Sequence, residues 1–138
     1  MTPIILDTNI VLDLFVYSDP RYANIRAGLQ DGGLVWHATR AMRDELAAVL
    51  CYAQIARRLI SNQQSAQDVL AIMDSKVTWT PVALKSPYTC KDKDDQMFID
   101  LASQLQCWLI SKDKAVLALR SRLARLGATV ALYYTASP

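Results

Sequence analysis

The chain alternates between short, wholly apolar runs and longer segments in which apolar residues recur every three or four positions. Ile4-Ile5-Leu6 is the first such run. An apolar run without alternation predicts a strand buried on both faces, as in the middle of a parallel sheet. After Asp7 the period changes. Ile10, Val11, Leu14 and Phe15 fall at helical spacing, with Thr8 or Asn9 placed to cap the helix. Tyr22, Ile25, Arg26 and Leu29 carry a second helix, which Asp31-Gly32-Gly33 ends. Leu34-Val35-Trp36 is a second buried strand. Thr39 then caps a long helix with the stripe Met42, Leu46, Val49, Leu50 and Ala53. Ile55 to Ile60 continues as helix after a break near Tyr52.

Ser65 caps a further helix through Val69, Leu70 and Met73. Lys76 to Thr80 alternates and meets Pro81, which predicts an edge strand. The segment from Val82 to Thr89 reads as irregular. Met97, Phe98, Leu101, Ala102 and Leu105 form the buried face of another helix, and Cys107 to Ile110 another buried strand. One helix then runs through Val116, Leu117 and Leu119 to Gly127, before a last strand at Ala128 to Leu132. Strands alternating with helices predict an α/β fold, a three-layer α/β/α sandwich around a mainly parallel five-stranded sheet.

Composition narrows the class. With 138 residues and no internal linker, the chain reads as a single domain over 1–138. Its formal charge of +2 neither demands nor forbids nucleic acid. The 3 cysteines, Cys51, Cys90 and Cys107, form no CxxC pair and fit a reducing interior. The chain opens on a strand rather than a signal sequence and has no membrane-length apolar run. A cytoplasmic protein with no membrane partner is the expectation.

Four acids recur at equivalent places. Asp7 and Asp113 end strands, Glu45 lies on the inner edge of a helix's first turns, and an acid of the Asp94-Asp95 pair opens another helix. Asp44, by contrast, projects to solvent. In a parallel sheet these places converge at the carboxyl edge, where ligands bind. Each acid also has a plainer reading: Asp7 as a helix cap, Glu45 as a solvated first-turn carboxylate. Converging carboxylates raise one another's pKa and call for a counter-charge. An all-oxygen donor set favours Mg²⁺ or Mn²⁺ over zinc. Other chemistries lack parts. His37 is the sole histidine, there is no GxxxxGK[ST] or GxGxxG, and Cys107 sits in a buried strand.

The segment Leu6-Asp7-Thr8-Asn9 resembles the first motif of the PIN-domain ribonucleases. Arg43-Asp44-Glu45-Leu46 resembles the helix carrying the family's second acid. Cys90-Lys91-Asp92-Lys93-Asp94-Asp95 with Phe98 resembles the third motif of the subgroup grouped with toxins of toxin–antitoxin pairs, and Ile110-Ser111-Lys112-Asp113-Lys114 the fourth. The resemblance implies strand order 3-2-1-4-5. It implies a metal-dependent endoribonuclease whose catalytic and metal-binding acids are Asp7, Glu45, Asp95 and Asp113. Asn9, Ser111 and Asp94 are supporting residues. Periodicity leaves Asp94 and Asp95 open, and the resemblance favours Asp95, three residues before Phe98. The implied partners are single-stranded RNA, an antitoxin protein and a second copy of the chain. Met97 and Ala115 depart from the subgroup's usual lysine and aspartate. Lys91, Lys93, Lys112, Lys114, Arg40 and Arg43 are expected around the acidic site. Two alternatives stand beside this reading. One is a non-catalytic binding domain on the same fold. The other is a haloacid-dehalogenase-type phosphatase, which wants a second aspartate where Asn9 stands.

Overall fold

Ile4, Ile5 and Leu6 are all buried, although successive strand side chains point to opposite faces. Both faces of β1 (Thr2–Leu6) are therefore covered. The computed structural model describes residues 1–135; positions 136–138 lie outside the described residues. β1 is the middle of a five-stranded sheet with β2 (Leu34–Ala38), β3 (Val77–Trp79), β4 (Trp108–Ile110) and β5 (Thr129–Ala131). The order is β3-β2-β1-β4-β5 and every pairing is parallel, as expected. β3 is an edge strand, which tolerates the Pro81 that follows it.

The helices are α1 (Thr8–Phe15), α2 (Ala23–Asp31), α3 (Arg40–Leu50), α4 (Ala53–Ser61), α5 (Ala66–Lys76), α6 (Gln96–Leu105), α7 (Lys114–Leu117) and α8 (Arg120–Ala124). Among the described residues, no helix is long and apolar enough to cross a membrane. Gly32 at φ 81° ends α2 in a left-handed turn that a side chain would strain. Ser65 and Asp68 close a reciprocal capping box on α5.

The chain departs from its apolar periodicity at particular points. The cap of α1 is Asp7 itself, whose carboxylate accepts from Thr8 N–H at 2.7 Å, rather than Thr8 or Asn9. Thr39 occupies the cap position of α3 without a side-chain cap bond. Tyr52 is extended (φ −63°, ψ 138°) and splits the long helix into α3 and α4. Beyond that break Ala53 is exposed, and Val49, in the last turn of α3, is half-buried instead of core. Ile60 stands outward at 77% exposure, and Ile99 joins Phe98, Leu101 and Ala102 in the buried face of α6. The helix expected between Asp113 and Gly127 is two short ones. Leu119 N–H bonds to Val116 O at 3.0 Å, a tightened turn that ends α7.

The topology fixes one special place. From β1 the chain runs outward through β2 to β3, then crosses back to β4 on the other side of β1. The reversal opens a crevice at the carboxyl ends of β1 and β4. Register puts Leu6 opposite Ile110, so Asp7 and Ser111 emerge side by side, with Asp7 N–H on Ile110 O at 3.0 Å.

Candidate active site

The crevice is a cleft of about 280 Å³ lined by acids from four segments of chain: Asp7, Glu45, Asp92, Asp94, Asp95 and Asp113, with Asn9 also on its wall. Asp7, only 4% exposed, follows β1, and Glu45 projects inward from the second turn of α3. Asp92, Asp94 and Asp95 come from the turn entering α6, and Asp113 from the turn after β4. Asp44 is exposed on the opposite face of α3.

Most of these carboxylates are held by named donors. The buried Ser111 hydroxyl donates to Asp7 Oδ2 at 2.5 Å and accepts from Asp113 N–H at 3.0 Å. Thr8 Oγ1 donates to Glu45 Oε2 at 2.7 Å. Asp113 accepts from Ala115 N–H at 2.8 Å and caps α7, and Asp92 accepts from Asp94 N–H at 2.9 Å and caps the turn before α6.

Asp95 differs. It is 6% exposed and Oδ2 has no hydrogen-bond partner. One carboxylate oxygen from each of Asp92, Asp95 and Asp113 lies within 4.8 Å of the others. Asp7 and Glu45 line the same cleft outside that close trio.

The electrostatics follow from this crowding. Burial, then the charge of Asp7 and the hydrogen bond and charge of Asp113, push the Asp95 carboxyl up to about 8. Burial raises Asp7 as well, against the opposing hydrogen bonds from Ser111 and Thr8. Burial raises Glu45, opposed by Thr8 and reinforced by Asp7 and Asp94. No lysine or arginine lines the cleft among the described residues. A buried acid without a donor, among acids without a cation, fits a hard divalent cation with oxygen ligands.

Three of the six basic residues expected around the site are committed elsewhere. Lys112 Nζ lies 2.6 Å from Asp13 Oδ2, on the α1 side of the turn. Arg43 pairs with Asp74 at 2.7 Å, and the Arg40 guanidinium lies 3.9 Å over the Trp79 ring. Lys91 and Lys114 are exposed, and Lys93 lines an adjoining groove. His37 is half-buried on β2 with Nδ1 3.3 Å from Thr80 Oγ1, away from the acids. Cys107 is buried and its thiol is pushed up to about 12 by burial, which leaves it inert. All three cysteines are free.

Thr8 and Asp92 are the contributors that the sequence pattern did not single out. Thr8 reads as a cap because it opens a helix. Asp92 precedes the helical periodicity and has no apolar register to place it. The run of three acids in Asp92-Lys93-Asp94-Asp95 was the available signal.

A family model described as PIN domain matches residues 3–115. No curated protein matches the chain.

Proposed function

Because the chain belongs to the PIN-domain family, whose members are generally nucleases, we propose that it is a metal-dependent endoribonuclease hydrolysing RNA phosphodiester bonds. The observation that carries this reading is the state of Asp95. Asp7, Asp92 and Asp113 each accept a helix-capping bond, and Glu45 accepts from Thr8, so each has a structural occupation. No donor reaches Asp95: it stands at the start of α6 without a side-chain cap bond, and its buried Oδ2 is unpartnered. A bare buried carboxylate costs several kcal/mol if ionised, on the order given by desolvation. Folding tolerates that cost where a ligand offsets it.

Asp7, Glu45, Asp95 and Asp113 would hold Mg²⁺ or Mn²⁺, with Asp92 beside Asp95 and Asp113. Such an ion supplies counter-charge, polarises a phosphoryl oxygen and acidifies the attacking water. The chain's own residues do the positioning. Ser111 fixes Asp7 and the backbone of Asp113 with one hydroxyl, and Thr8 fixes Glu45. Near neutral pH Asp95 carries the proton that ion binding must release. Asn9 and Asp94 sit on the wall where substrate enters. The recessed acids favour single-stranded RNA over a stacked duplex.

The motif resemblance extends the proposal to the toxin of a toxin–antitoxin pair, acting in the cytoplasm, restrained by an antitoxin and able to self-associate. A specific observation also supports a non-catalytic binding domain: three of the acids have capping roles that would keep them in place without catalysis. Incubation of labelled single-stranded RNA with Mn²⁺, beside a chelator control and a phosphomonoester, separates the readings. Chelator-sensitive RNA cleavage supports the nuclease. RNA left intact favours the binding domain, and phosphomonoester turnover alone favours the phosphatase.

A further inference from the structure

Tyr52 is a large aromatic side chain left 61% exposed at the junction of α3 and α4. It lines the acidic cleft and also a second groove of about 390 Å³ beside it. The two share Glu45, Val49, Tyr52 and Asp94, so the groove is the continuation of the cleft. Its remaining wall is Ala48 from α3, Met97 from α6 and Lys93 from the turn before α6.

Resting on the nuclease reading, we propose that this groove is a nucleobase subsite, in which Tyr52 stacks the base next to the scissile phosphodiester. A phosphodiester at the carboxylates places its neighbouring base within one nucleotide's reach. That base needs a flat apolar surface, and the groove offers an aromatic ring, a valine and a polarisable thioether. Lys93 supplies a cation for the following phosphate, in a groove whose other charged walls are Glu45 and Asp94. Stacking requires the base to leave its duplex, which restricts the substrate to single strands. Every base has a π-face, so the subsite selects strand state more than sequence.

The test uses a single-stranded RNA 12-mer carrying 2-aminopurine at successive positions. Binding is read by anisotropy and fluorescence quenching in an Asp95→Asn background, so the RNA stays intact. Cleavage is read in the otherwise unaltered chain with Mn²⁺. Tyr52→Ala is expected to weaken RNA binding about tenfold, within the range for one lost base–aromatic stack. It should also abolish quenching at one position and raise KM more than it lowers kcat. Tyr52→Phe should recover most of the affinity, and Ile60→Ala, on the exposed side of α4, should behave as wild type. Because Tyr52 is mostly exposed, its truncation leaves the core intact, which a melting curve verifies. Wild-type cleavage with an unchanged KM and undiminished quenching in Tyr52→Ala overturns the subsite alone. An inert wild type overturns the nuclease reading and the subsite with it.

Discussion

Ser111 and Asp7 are joined by a 2.5 Å hydrogen bond across 104 residues of sequence. The same hydroxyl accepts Asp113 N–H, so one fully buried oxygen sets the spacing of two strand-terminal acids. Ser111→Ala removes a donor to a buried carboxylate. The expected cost is about 1–3 kcal/mol of stability and roughly 10- to 100-fold in Mn²⁺ affinity, as for other residues that orient ligands. Urea unfolding and calorimetric titration check both. Full retention of both would show that the bond carries neither role.

The Asp95 carboxyl gives a second prediction, on pH. Its folded pKa is raised from 3.8 to about 8, so between those values the folded chain binds more protons than the unfolded one. Stability without metal therefore falls as pH rises through that window. Melting curves in chelator from pH 5 to 8.5 should slope downward, and Asp95→Asn should flatten most of that slope. Asp95→Asn should also melt higher than wild type at pH 8.5, where its carboxylate would be ionised beside Asp7 and Asp113.

The third prediction reverses that slope. A cation that binds the ionised cluster displaces the Asp95 proton, so Mn²⁺ affinity should rise with pH up to about 8. The heat of titration should differ between buffers of different ionisation enthalpy, which reports the released proton. Asp95→Asn should lose the pH dependence as well as affinity, while Asp44→Asn, exposed on the far face of α3, should keep both.

The sheet was legible because its central strands are continuous apolar runs, and such runs have one stable place in an α/β fold. Ile4–Leu6 and Leu109–Ile110 leave no polar face, so helices must cover both sides. The convergence of Asp7, Glu45, Asp95 and Asp113 on one cleft followed from the same logic of strand ends and helix starts. The rest depended on contacts between segments far apart in sequence. Nothing in the spacing of Arg43 announces Asp74, or of Lys112 announces Asp13, and those pairs remove both cations from the cleft. The break near Tyr52 is expected and found, but the split of α7 from α8 is not: Val116, Leu119 and Leu123 keep helical spacing across it, and only the Leu119 N–H to Val116 O turn marks it. Asp92 stayed hidden because it precedes the apolar register of α6, so periodicity does not orient it.

A fourth prediction separates the acids in catalysis. In Mn²⁺, cleavage of labelled single-stranded RNA should fall about a hundredfold or more for Asp95→Asn, the scale of a lost catalytic group, and stay near wild type for Asp44→Asn. Chelator should stop wild-type cleavage. Higher salt should weaken RNA binding, because Lys91, Lys93 and Lys114 remain to meet phosphates. Cleavage that persists in chelator, or in Asp95→Asn, would place the chemistry elsewhere.

The last prediction concerns Thr8, which sits between the first two acids. Its backbone N–H is bound by Asp7 at 2.7 Å, and its hydroxyl donates to Glu45 Oε2 at the same distance. Thr8→Val keeps the shape and the backbone bond and removes only the hydroxyl. Glu45 then loses its one opposing influence against burial and the Asp7 charge, so its pKa should climb further. The raised pKa should move the acid limb of the pH–rate profile toward neutral pH, with kcat reduced about tenfold at pH 7 by analogy with other orienting bonds. Thr8→Ser, which restores the hydroxyl, should return the profile to its wild-type position. Melting temperature separates this from a general loss of packing. Thr8 is buried and valine fills its volume, so Thr8→Val should melt close to wild type while its pH profile moves. An unmoved profile would mean that Glu45 is oriented without Thr8.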